Sequence, residues 1–191
     1  MLYKLAKLGI GKQCYNVVKS MFSNIKKSIK FKLNMSIYFK TTRGVQQGDS
    51  LSPTLFNIYI NDIIDIFEEN SDKPEPLGQK IPFLMFADDI ILMSTTKKGL
   101  QNSINKLADY TERWELEINS GKTKCMVFTN GTSPCHEKLF INDIQIDNVD
   151  KSTYLGIDVN YRGNYKITTD RLYKKISQML SSMEILYEES E

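Results

Sequence analysis

Histidine occurs once in these 191 residues, at position 136, and cysteine three times, at 14, 125 and 135. A single histidine excludes a metal cluster built on histidines and any Ser-His relay that does not use His136 itself. Three cysteines without a CxxC pair suggest neither a disulfide framework nor a zinc site, so they read as reduced thiols. Chemistry must therefore rest on carboxylates and lysines. No apolar run approaches the roughly 20 residues of a spanning helix, and Met1 to Gly9 lacks the long apolar stretch of a secretory signal. The expectation is an intracellular chain with no membrane partner, nucleus and cytoplasm not being distinguished. Repeats and low-complexity segments are lacking as well. With 41% hydrophobic and 25% charged residues, the composition is that of a globular chain that folds in water.

The other absence is of acid. From Met1 to Gly48 there are nine Lys and one Arg and no Asp or Glu, whereas the remainder holds 15 basic against 23 acidic residues. The net charge of +2 conceals this asymmetry. A segment so basic is an electrostatic footprint for phosphates or an anionic surface, the alternative being a solvated basic face.

Periodicity sets out the elements. Met1 to Leu8 reads as a helical fragment bounded by Gly9 and Gly11. Cys14, Val18, Met21 and Ile25 form one helix face, expected to be core. Ile29, Phe31 and Leu33 alternate with Lys30 and Lys32. After Asn34 and Met35 the alternation resumes through Ile37 and Phe39, which predicts a hairpin with one apolar and one basic face. Ser52 as N-cap and Pro53 at the first helical position start a helix to about Asn70, apolar at Phe56, Ile60, Ile63 and Phe67. A loop over 71–80 follows, then two buried strands within 81–93. Leu100, Ile104, Leu107, Thr111 and Trp114 mark a second long helix. Strands are expected at 124–129, at 138–146 with Asn142-Asp143 as a turn, and at 153–159, with a last helix from about Asp170.

Asp88 and Asp89 are the most informative pair. Adjacent side chains on a strand point to opposite faces, so two carboxylates between apolar runs make sense only at a tight bend where both escape the core. Carboxylates crowded there favour a cation, and Mg²⁺, which takes one or two carboxylates plus substrate phosphates, fits best. A plain acidic hairpin turn is the alternative. The stretch from Arg43 to Pro53 places Gly44 and Gly48 around amide side chains and ends at a helix start. Its backbone can approach a ligand closely and offer N–H groups to phosphate or sugar oxygens; by itself it is equally a structural connection.

Taken in order, GVQQGDSLSPTLFNIYIND from Gly44 to Asp62, FADD from Phe86 to Asp89, INSGKTKCMVF from Ile118 to Phe128 and YLGI from Tyr154 to Ile157 are specific. In order and spacing this set resembles the palm motifs B, C, D and E of the reverse transcriptases of non-LTR (LINE-type, jockey-like) retrotransposons. The resemblance implies an α+β fold, a right-hand polymerase palm whose antiparallel sheet packs on helices and runs into the first thumb helix. Residues 1–160 would form a partial palm: basic helix and hairpin 1–43, motif B 44–62, motif C 83–93, motif D 118–128 and motif E 153–159. Residues 161–191 would begin a thumb or connection helix.

The resemblance also implies an Mg²⁺-dependent RNA-directed DNA polymerase, with Mn²⁺ as the alternative ion, adding dNTPs to a DNA primer on an RNA template. Asp88 and Asp89 look like its metal carboxylates. Gln47, Gly48 and Arg43 resemble the loop near nucleotide and template. Lys122, ahead of Lys124, aligns with the lysine near the leaving pyrophosphate, and Tyr154, Leu155 and Gly156 with the primer grip. Family members carry a further catalytic aspartate, and an aromatic that screens the ribose, in a motif A upstream of these motifs, with a fingers region before it; neither the motif A strand nor the fingers is expected in this chain. Here the first acidic residue is Asp49, so the expectation is a truncated copy whose Met1 is internal to a longer ancestor, inactive by itself, with an uncovered palm edge open to self-association. The rival reading is a non-catalytic retroelement remnant that at most binds nucleic acid through its basic first third, with Lys30 and Lys32 on the binding face.

Overall fold

A computed structural model describes residues 1–23, 25–41, 44–46, 48–67, 72–164 and 166–188, with 77, 167 and 179–188 as backbone alone. Two compact units divide the chain. One comprises Met1–Asn70 and Pro74–Met93, the other Ser71–Lys73 and Ser94–Glu191.

The first unit opens with helices α1 (Leu2–Lys7) and α2 (Lys12–Phe22), separated by Gly9 in a left-handed conformation (φ 73°). Of the expected face of α2 only Val18 is buried. Val18 is buried with Tyr15 and Phe22 packed around it, while Cys14 and Met21 are exposed. The spacing of apolar residues allowed either stripe, and the aromatic one covers more apolar surface. Val18 meets Leu5 of α1 and Leu55 of α3 (Ser52–Ile60).

Between α2 and α3 lies a hairpin of four short strands, β1 (Lys26–Lys27), β2 (Lys30–Phe31), β3 (Asn34–Met35) and β4 (Phe39–Lys40). β2 pairs with β3 across a two-residue turn, Lys32-Leu33, and β1 pairs with β4. Between the two pairings Ser28 and Ile29 face three residues, 36–38, which makes a bulge. The turn sits at Lys32-Leu33, and the expectation of one apolar and one basic face is corrected: the faces are mixed. Lys30 stands opposite Met35 because the two-residue turn pairs odd with even positions, and Lys27 stands opposite Phe39 because consecutive lysines occupy both positions of β1.

α3 begins at its expected cap, one residue early. Ser52 is the first helical residue, and the orphan N–H of Leu51 is taken by Asp49, whose Oδ1 accepts it at 3.2 Å. Past Ile60 the helix tightens into a 3₁₀ segment, Asn61–Phe67. Ile60, Ile63 and Phe67 are buried as expected; Leu55 takes the place of Phe56. The one buried charged side chain among the described residues is Lys4. Its ammonium donates to the Tyr59 carbonyl and to Asp62 Oδ1 (2.6 Å), fastening α1 to the end of α3.

β5 (Phe83–Phe86) and β6 (Asp89–Leu92) form a hairpin. Its inner face rests on the 3₁₀ segment, with the Phe83 ring 4.9 Å from that of Phe67. The outer face carries Leu84, Phe86, Asp89 and Ile91, with Leu84 46% and Phe86 63% exposed, so the expectation of buried strands is corrected. Among the described residues the strands pair only in two-stranded sheets, beside one isolated bridge between Val127 and Cys135, and no third strand covers that face or pairs with either edge. The sequence marked these strands as apolar on both sides, and burial on both sides needs a neighbour that the described residues do not supply.

The second unit is built on α4 (Lys97–Arg113), capped by Thr96, whose Oγ1 accepts the Gly99 N–H at 3.0 Å. Ile104, Leu107, Ala108 and Tyr110 are its buried stripe, and Cys125, Leu139, Ile141 and Ile146 complete the unit's core. β7 (Lys124–Cys125) is shorter than expected. β8 (Phe140–Ile141) and β9 (Ile144–Gln145) turn at Asn142-Asp143, both left-handed, as their residue types foretold. The Gln101 amide of α4 holds the Phe140 backbone from both sides, at 2.8 and 3.0 Å. β10 (Asp147–Asn148) runs parallel to β7. β11 (Lys151–Tyr154) and β12 (Ile157–Asn160) form a hairpin where one strand was expected from periodicity, and α5 (Lys166–Glu188) starts four residues early. No helix of the described residues is long and apolar enough to cross a membrane.

Candidate active site

The carboxylate pair sits where the bend was anticipated. Phe86 and Asp89 close the β5–β6 hairpin, leaving Ala87-Asp88 as a two-residue turn. Ala87 is left-handed (φ 53°), which is what a tight turn compatible with strand twist demands at its first central position. Asp88 therefore projects from the tip and Asp89 from the first residue of β6, both exposed. Among the described residues neither carboxylate has a hydrogen-bond or ion-pair partner, so their oxygens are open to a ligand. Hard oxygen donors of this kind suit Mg²⁺ or Mn²⁺. Two is the whole set: no group of three or more His, Cys, Asp or Glu comes together among the described residues.

Also in the first unit, Gly48 is exposed and left-handed (φ 87°), and a side chain there would meet nothing within 4 Å. The loop before α3 thus presents bare backbone to solvent, a surface another molecule can approach closely. Arg43 and Gln47 lie outside the described residues. Lys30 and Lys32 are exposed on the β2–β3 hairpin, Lys32 in its turn with its ammonium 5.7 Å from the Phe31 ring centre.

In the second unit, the two candidate lysines have different surroundings. Lys124 is engaged, its Nζ 2.7 Å from Asp147 Oδ2. Lys122 is exposed in a turn held by Asn119, whose carbonyl and side-chain oxygens both accept the Lys122 N–H at 3.1 Å. Among the described residues its ammonium has no partner, which leaves Lys122 as the lysine free to act. Tyr154 is half-buried at the end of β11, and Leu155-Gly156 is the turn of the hairpin, with φ 47° and 80°. Left-handed glycine is ordinary; left-handed leucine is not.

The family model described as reverse transcriptase (RNA-dependent DNA polymerase) matches residues 2–159. The chain belongs to this family. Among curated relatives it is 28% identical over 176 residues to the probable RNA-directed DNA polymerase from transposon BS of Drosophila melanogaster, covering 86% of this chain and 19% of that one. To the RNA-directed DNA polymerase from mobile element jockey of the same fly it is 26% identical over 184 residues, 93% of this chain and 19% of that one. A Pol polyprotein from the type-1 retrotransposable element R2 of Nasonia vitripennis is 26% identical over 161 residues, 80% and 16% of the two chains. The chain thus spans about a fifth of the length of these relatives.

All the candidate residues fall within the part matched to the reverse transcriptase family. What sequence reasoning missed is how the last hairpin is fastened. Arg171 of α5 donates to the Gly156 carbonyl and pairs with Asp158 Oδ2 at 3.1 Å, and Asp158 Oδ1 also accepts from Thr153 Oγ1 at 2.5 Å. Buried Thr168 bridges the Asp158 backbone, accepting its N–H at 2.6 Å and donating to its carbonyl at 3.1 Å. An Asp in β12 and an Arg 13 residues later carry no periodic signal, so only the fold could bring them together.

Proposed function

We propose that this chain is part of an RNA-directed DNA polymerase of a non-LTR retrotransposon, contributing palm motifs B to E and the first thumb helix. The observation that carries this reading is the Ala87-Asp88 turn, which holds two free carboxylates within a reverse transcriptase match. Asp88 and Asp89 would hold Mg²⁺, or Mn²⁺ in its place, and the bound ion supplies charge stabilisation at the phosphates. Gly48, with Gln47 and Arg43, packs its bare backbone near nucleotide and template. Lys122 Nζ gives a proton to the leaving pyrophosphate. Tyr154, Leu155 and Gly156 hold the primer end, and Arg171 fixes the turn they occupy. Substrates are a DNA primer, an RNA template and dNTPs.

Two carboxylates are one fewer than the family's polymerases use, since no residue of this sequence matches the motif A aspartate. The test is primer extension on a primed RNA template. The 191 residues by themselves should not extend it. Joined to the fingers and motif A segment of the jockey relative, they should, and Asp88→Ala should abolish the product. Extension by the 191 residues that survives Asp88→Ala, or a folded joined protein that never extends, would overturn the reading.

A second reading is favoured by the exposed lysines of the β2–β3 hairpin: nucleic-acid binding by the basic first third without catalysis. The outer face of β5–β6 also supports self-association.

A further inference from the structure

The hairpin over 25–41 is built unlike a piece of a core. Its apolar side chains point into water: Phe31 is 71% exposed, Tyr38 70%, Ile37 89% and Leu33 98%. Seventeen residues of two-stranded ribbon with such exposure are not stabilised by what they bury, so their apolar surface is explained by something that covers it. The charge says what kind of thing. The segment has five lysines and no acid, within a stretch of 48 residues that has none either. A second copy of the same ribbon would be repelled. The covering molecule is an anion, and one with flat apolar faces.

We propose that this hairpin is a binding ribbon for single-stranded nucleic acid, on which Phe31 and Tyr38 stack bases while Lys30 and Lys32 hold phosphates. This deepens the reading of the basic first third as a nucleic-acid face and rests on it. The mixed faces carry the argument. On a sorted hairpin, lysines would track a phosphate backbone on one side and the apolar side would still need a separate partner. Here the register set by the turn interleaves them: Lys32 sits 5.7 Å from the Phe31 ring centre, and Lys30, the residue before Phe31 in β2, lies on the other face opposite Met35. A base on the free side of that ring brings its own phosphate within reach of the Lys32 ammonium, and Lys30 offers a second phosphate contact on the other face of the ribbon. A duplex hides its base faces in the stack and leaves the rings with nothing to cover them; an unpaired strand offers a base face at each nucleotide.

The experiment is fluorescence anisotropy of the full 191-residue chain with labelled 20-nucleotide single-stranded RNA, the DNA equivalent, a 20-base-pair duplex and, as a separate arm, anionic phospholipid vesicles. Both single strands should bind more tightly than the duplex, because stacking does not read the ribose. Phe31→Ala and Tyr38→Ala should each weaken single-strand binding about five- to a hundredfold, the range for one stacked base, with an unchanged salt slope. Lys30→Gln with Lys32→Gln should instead flatten the slope of log affinity on log salt by about 1.4, two contacts at roughly 0.7 each. All four side chains are exposed, and unchanged circular dichroism establishes that the fold is intact. If the lysine pair flattens the slope and the aromatic variants change nothing, the stacking ribbon is wrong and the nucleic-acid face stands. If no oligonucleotide binds, both fall. Equal affinity for duplex, or vesicle binding that Phe31→Ala abolishes while oligonucleotide binding is unaffected, also overturns the proposal.

Discussion

Single residues set the site's shape, and Ala87 does so at a cost. A left-handed conformation costs an L-residue about 1–2 kcal/mol, while glycine loses about 0.5–1 kcal/mol more entropy than alanine on folding. The first term wins. Ala87→Gly should therefore raise stability by about 0.5–1 kcal/mol, read as a small rise in melting temperature, and Ala87→Val should lower it; a glycine variant less stable than the parent would contradict the turn geometry. Cys125 differs from the other thiols in kind. It is buried while Cys14 and Cys135 are exposed, and burial, reinforced by the charge of Glu137, pushes its pKa up. A disulfide reagent should titrate two thiols quickly and the third only at the rate of unfolding. Because the fold keeps this group neutral, its deprotonation favours the unfolded chain, so stability should fall as pH rises through the ordinary thiol range. Three equally fast thiols in the native protein would contradict this burial.

Elements depend on residues that no periodicity reveals. Gly99 lies in the first turn of α4, where alanine is normally preferred by about 1 kcal/mol. A methyl group there would stand 2.5 Å from Ser94 Oγ and 2.7 Å from Asp72 Cβ, part of the cluster in which Thr96 Oγ1 donates to Asp72 Oδ2 at 2.5 Å. Overpacking of this kind costs roughly 1–3 kcal/mol and outweighs the propensity. Gly99→Ala should therefore destabilise the chain in denaturant unfolding, and a neutral or stabilising result would show that the cluster yields. The same contrast explains what was legible. The Asp88 bend, the Asn142-Asp143 turn and the stripe of α4 are local signals, encoded in neighbouring residues. The mixed faces of the β2–β3 hairpin depended on the register that its turn set. The stripe of α2 depended on which helix it met, and the anchoring of Leu155-Gly156 on an Arg in another element. Gln47 and Arg43 belong to a loop that the sequence marked only weakly, took their roles from the resemblance, and lie outside the described residues.

At the scale of the molecule, two facts have opposite consequences for behaviour in solution. The basic first third repels its own kind, and the outer face of β5–β6, with Leu84 and Phe86 exposed beside unpaired strand edges, attracts it. Added salt screens the repulsion and leaves the apolar attraction in place. The chain should thus associate more at 0.5 M than at 0.05 M NaCl in sedimentation velocity, and Leu84→Lys with Phe86→Lys should restore the monomer. A salt-independent monomer would mean that this face is covered. The central claim, that the chain carries the metal carboxylates of a reverse transcriptase, is tested most directly by titrating Mn²⁺ into isotope-labelled protein and following paramagnetic broadening of backbone amide signals. Broadening should centre on residues 87–89, be competed by Mg²⁺ and disappear in Asp88→Asn with Asp89→Asn. Broadening elsewhere, or broadening at the turn that survives the double substitution, would contradict it.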